Sequence, residues 1–106
     1  MGENDNIPQM TPSFENICRK DENGNEYWSS RDLCGAMGYS AYWKFQRVID
    51  KAIKVAGEKG MNVDEHFNQA VDMVKIGNGS FRKVNIFRLS RMACMIIAEN
   101  ADGKKL

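Results

Sequence analysis

Between Tyr42 and about Lys59 the apolar residues Phe45, Val48, Ile49, Ala52, Val55 and Ala56 recur at spacings of three and four, the period of one helical face. Such a face has to be covered by another element. On either side of it in the chain stand short β-prone runs around Asn-Gly pairs, Asn23-Gly24 and Asn78-Gly79, the strongest local signal for a hairpin. A long amphipathic helix between two hairpins predicts an α+β domain, with three to four helices packed on one or two small antiparallel sheets.

The remaining elements follow from their end signals. Ser13 to Lys20 and Glu26 to Ser29 flank the first Asn-Gly turn and are expected to pair as a hairpin. Ser29 and Asp32 make a capping pattern for a short helix from about Ser30 to Met37, which Gly38 stops. Asn62-Val63-Asp64 opens a helical turn carrying His66 and Phe67, and Val71 to Ile76 and Arg82 to Leu89 form the second hairpin. Ser90 caps a last helix, Arg91 to Ala101, that is apolar nearly all round.

A chain of 106 residues has room for one domain, placed here at residues 13 to 106 behind a polar, proline-containing lead-in of residues 1 to 12. The longest apolar run, Met92 to Ala98, has seven residues against the roughly 20 of a membrane span, and MGENDN is no signal peptide. Three widely spaced cysteines, Cys18, Cys34 and Cys94, suit small buried hydrophobes in a reducing compartment. A cytoplasmic protein without membrane attachment is the expectation.

Charge is distributed unevenly. Residues 1 to 32 hold seven acids and three bases, residues 33 to 98 five acids and ten bases, and no Asp or Glu falls between Met73 and Ala98. A polyanion would prefer the later part. Lys44, Arg47, Lys51 and Lys54 recur with the helical period and share an arc of about 80° opposite the apolar face. Glu58 shares that side, and Asp50 can pair with Lys54, so the stripe is moderately positive. Trp43 lies beside Lys44 and Arg47, and Lys75, Arg82, Lys83, Arg88 and Arg91 follow on the second hairpin and after it. These ten residues are the candidate contacts for a nucleic acid.

Catalytic patterns are weak by comparison. His66 is the one histidine and has no Cys/His/Asp cluster around it, so neither a metal nor another cofactor is expected. Ser80-Phe81-Arg82-Lys83 has the S-x-x-K spacing but sits at a hairpin tip, and Gly77-Asn78-Gly79 reads as a turn. A binding module, not an enzyme, is expected, with no small-molecule substrate in view.

Phe14-Glu15, Trp28-Ser29, Arg31-Asp32-Leu33, Gly38-Tyr39-Ser40, Tyr42, Phe45, Val48-Ile49 and Lys51-Ala52 resemble the N-terminal region of the bacterial DNA-damage-inducible protein D (DinD) family. In the second half His66-Phe67, Met73-Val74, Ile76-Gly77, Gly79, Arg82, Leu89-Ser90-Arg91, Ala93-Cys94, Ile97-Ala98, Asn100 and Asp102 follow the family in order and spacing. More distantly, the first hairpin, Trp28, Asp32 and the Gly38-Tyr39-Ser40 corner are similar to the BRO-N domain of viral and phage antirepressors and DNA-binding proteins. The DinD resemblance implies a part in the SOS response, acting on single-stranded DNA or on the filament that a RecA-type recombinase forms on it. Family members continue past the equivalent of Leu106 into a further, largely helical region.

The alternative is a protein-interaction module that touches a recombinase, or a second copy of itself, without direct DNA contact. Met92, Met95, Ile96 and Ile97 on the last helix point in too many directions for a small domain to cover. The expectation is therefore a homodimer joined through that helix.

Overall fold

The computed structural model describes residues 12 to 101. The expected lead-in lies outside them, except that Pro12 opens the first helical turn. In chain order the elements are α1 (Pro12–Asn16), β1 (Arg19–Lys20), β2 (Glu26–Ser29), α2 (Ser30–Ala36), α3 (Tyr42–Glu58), α4 (Val63–His66), β3 (Phe67–Lys75), β4 (Phe81–Leu89) and α5 (Arg91–Asn100). The two hairpins join into a single antiparallel sheet in the order β1-β2-β4-β3. The α+β class is as expected.

Chain ends behave as their residues dictate. Ser29 accepts from the Arg31 amide at 3.2 Å, Asn62 from Glu65 at 3.1 Å and Ser90 from Ala93 at 3.0 Å, so three helices begin on side-chain caps. Beyond α2 the chain turns at Gly38, with φ +82°, while the Tyr39 amide donates to the Cys34 carbonyl at 3.1 Å and Gly38 to Gly35 at 3.0 Å. This is the left-handed stop that only glycine adopts without strain. It turns the chain into α3.

Two expectations are corrected. Ser13 to Lys20 is not a strand: α1 takes its first part and only Arg19 and Lys20 pair with β2. The helical turn brings Phe14 flat against Trp28, with ring centres 4.5 Å apart, and its carbonyl accepts the indole N–H at 2.9 Å. Each of these fully buried rings contributes roughly 1.5–3 kcal/mol by leaving water. The first strand of the second hairpin, β3, also starts four residues earlier than its alternation suggests, because Phe67 pairs with Leu89 and both are buried on the core face.

The third correction concerns α5. Ile96 and Ile97, expected at an uncovered surface, are 3% and 0% exposed. The helix packs against α3 on one side and against β2 and β4 on the other, which answers its nearly all-round apolar character within one copy of the chain. Cys34 and Cys94 are buried, and burial pushes both thiols up from their ordinary range.

Candidate nucleic-acid interface

The apolar side of α3 buries Phe45, Val48, Ile49, Ala52 and Ala56, which turns Lys44, Arg47, Lys51 and Lys54 to the solvent. Trp43, 61% exposed, stands at the head of that row with the Lys44 ammonium 5.7 Å from its ring centre. Asp50, expected beside Lys54, instead accepts from the Gln46 side-chain Nε2 at 3.0 Å.

A groove of about 500 Å³ runs beside the row, lined by Tyr39, Trp43, Lys44, Arg47, Val48, Lys51 and Asn100. Its lining contains three cations and no carboxylate. Tyr39 comes from the glycine corner, where its ring lies 5.1 Å from Phe45, and Asn100 from the last turn of α5, where its side-chain amide donates to the Ile96 carbonyl at 2.8 Å. Sequence reasoning missed both as lining residues. Tyr39 was visible only as a corner residue, and nothing in the spacing connects Asn100 with Trp43.

The second basic set lies elsewhere. Lys75, Arg82 and Lys83 are exposed near the free end of the β3–β4 arm. The arm's base meets α3 at a second pocket lined by Tyr42, Gln46, Gln69 and Phe87, among others. Lys75 is six residues further along β3, about 20 Å away. The two sets therefore form separate surfaces.

Paired residues of an antiparallel ladder share a face, so Val71 with Asn85, Met73 with Lys83 and Lys75 with Phe81 form one side of the outer arm. Val71, Met73 and Phe81 are exposed there. Their alternation was legible, but it reads equally as a strand's buried face.

Arg88 and Arg91 are engaged within the domain. The Arg88 guanidinium lies 4.6 Å over the Tyr27 ring. Arg91 grips Glu15 with Nη1 at 2.9 Å and Glu26 with Nε at 2.9 Å, and its guanidinium sits 4.9 Å from the Trp28 ring centre. It ties α1, β2 and α5 together. Its hydrogen bonds hold the Glu15 and Glu26 carboxyls below the usual carboxylate range. As a phosphate contact Arg91 would first have to leave two carboxylates, so the structure gives it a scaffolding place in the domain.

His66 also has a structural place: its Nδ1 is 2.7 Å from Ser90 Oγ, the hydroxyl that caps α5. On α5 the candidate interface residues divide, Met92 being exposed at 49%, Met95 half-buried and the two isoleucines internal. Among the described residues no group of three His, Cys, Asp or Glu could hold a metal ion, and no helix is long and apolar enough to cross a membrane.

These features define a small α+β domain with a cationic, aromatic-edged groove on its longest helix. The chain is 39% identical over 92 residues to the DNA damage-inducible protein D of Escherichia coli (strain K12), a match that covers 87% of this chain and 34% of that protein. The likeness assigns the chain to the DNA damage-inducible protein D family, and the chain spans about a third of the length of that relative. No protein-family model matches the chain, and no solved structure does.

Proposed function

We propose that this domain binds nucleic acid as part of a response to DNA damage, with Lys44, Arg47, Lys51 and Lys54 meeting phosphates and Lys75, Arg82 and Lys83 giving a second contact on the arm. The observation that carries this reading is the groove beside α3, where three cations and an exposed tryptophan converge without a carboxylate among them. The name of the E. coli relative supports the DNA-damage setting. Single-stranded DNA, bare or within a RecA-type filament, is the target in this reading, and the role is binding with no catalytic step.

Anisotropy of a labelled single-stranded oligonucleotide at low salt tests it. Reversing charge at Lys44→Glu and Lys51→Glu together should weaken binding by about tenfold or more. Equal affinity of the parent chain and the double variant would refute the α3 assignment.

A second reading draws on the exposed Val71, Met73 and Phe81, since apolar side chains left on an arm suit a protein partner. Capture of a recombinase after nuclease treatment, unaffected by the same charge reversal, would favour it.

A further inference from the structure

We infer that the α3 groove is a stacking subsite for one unpaired nucleobase, with Trp43 as the platform and Arg47 and Lys51 holding the phosphates on either side of it. The inference rests on the nucleic-acid reading and adds how the strand is held and why unpaired bases are favoured.

Three observations support it. Trp43 is more than half exposed although α3 has a large buried face available, and the other tryptophan, Trp28, is fully buried. A tryptophan left in water gains from a flat aromatic partner. The Lys44 ammonium already sits 5.7 Å from the Trp43 ring centre, which shows that a cation and the ring reach the same space. A ligand that is aromatic at one end and anionic at the other satisfies both.

The groove also has the right dimensions and polarity. At about 500 Å³ it lies within the range that small ligands occupy, and Tyr39 and Asn100 add polar groups to its lining. A duplex would offer phosphates to Arg47 and Lys51 but keep its bases stacked inside, leaving Trp43 without an aromatic partner. An unpaired base offers its face to any aromatic platform, independent of sequence. An acidic peptide would meet the cations but would gain nothing specific from the indole ring.

The test compares two oligonucleotides of equal length and charge, one of oligodeoxythymidylate and one with an abasic backbone, titrated into the whole chain. Anisotropy of the labelled strands gives the affinities of parent and variants, and quenching of tryptophan emission in the parent reports on Trp43, because Trp28 is buried. Stacking of one base should make the base-bearing strand bind roughly 5- to 140-fold more tightly than the abasic one. Trp43→Leu should abolish that preference while leaving abasic affinity within about twofold, and Lys44→Ala with Lys51→Ala should weaken both strands alike.

Each other outcome overturns the inference in a distinguishable way. Equal affinity for the two strands removes the stacking subsite and leaves the phosphate-binding function standing. A preference that survives Trp43→Leu places the stacking elsewhere on the chain. Absence of binding by either strand removes the subsite and the proposed function together.

Discussion

Replacing Ser30 by alanine should cost this domain far more than the loss of one hydroxyl at a helix start suggests. β2 pairs with β4 through Trp28 with Leu89 and Ser29 with Arg88, and the next rung would set residue 30 opposite Phe87. There the chain leaves the sheet to begin α2. The Ser30 hydroxyl takes the position of the missing strand acceptor and receives the Phe87 amide at 2.9 Å. The same oxygen is 2.7 Å from the Tyr42 hydroxyl, so one buried atom joins β4, α2 and the start of α3. Burial pushes the Tyr42 phenol above its ordinary range, in keeping with a neutral hydroxyl at this junction. Ser30→Ala strands the Phe87 donor, at a cost of about 1–3 kcal/mol. For a domain of this size each kcal/mol moves the midpoint by about 4–8 °C, so a 2 kcal/mol loss lowers Tm by roughly 8–16 °C. Thermal unfolding followed by circular dichroism measures it. A double-mutant cycle with Tyr42→Phe should return a coupling of about 0.5–1.5 kcal/mol. A Tm within about 2 °C of the parent would refute the junction argument.

Other consequences are equally specific. Because Arg91 holds the Glu15 and Glu26 carboxyls below their usual range, their contribution to stability is complete above the ordinary carboxylate pKa and is lost as pH falls through the lowered folded values; urea titrations should show Arg91→Met flattening that acid slope. Asp72 receives the Met73 amide at 2.9 Å and Arg19 Nη1 at 3.3 Å, which covers an outward-facing amide on the edge strand β3, so Asp72→Ala should raise the average mass in light scattering at high concentration, and an unchanged mass would count against an edge-guarding role. Ile97→Glu should destabilise the fold by about 4 kcal/mol or more, whereas Met92→Glu should stay within about 0.5 kcal/mol in denaturant titrations. If two copies do meet through α5, Met92→Glu is the change that should separate them, as read by sedimentation.

Local chemistry made much of this architecture legible. Ser29, Asn62 and Ser90 announce three helix starts, Gly38 a stop, and the two Asn-Gly pairs both turns, because each signal needs only the few residues around it. The α3 stripe was legible for the same reason: a helix with one buried face has to expose the other. What could not be read depends on distant partners. Arg91 counts as a free cation until Glu15 and Glu26, 76 and 65 residues away, close on it. α5 looks uncovered until α3 and the sheet are seen on either side of it. α1 escaped because five residues carry no period, and its role comes from the Trp28 ring above Phe14. The groove was half legible, with Trp43, Lys44, Arg47 and Lys51 on one helix and Asn100 contributed by another.

The salt dependence of binding to a single strand counts the phosphates that α3 neutralises. If Lys44, Arg47, Lys51 and Lys54 each neutralise one phosphate, log affinity should fall against log salt concentration with a slope of about −2.8, and Lys51→Ala should reduce that slope by about 0.7. A slope near zero, or no binding at low salt, would contradict a phosphate-binding face on α3.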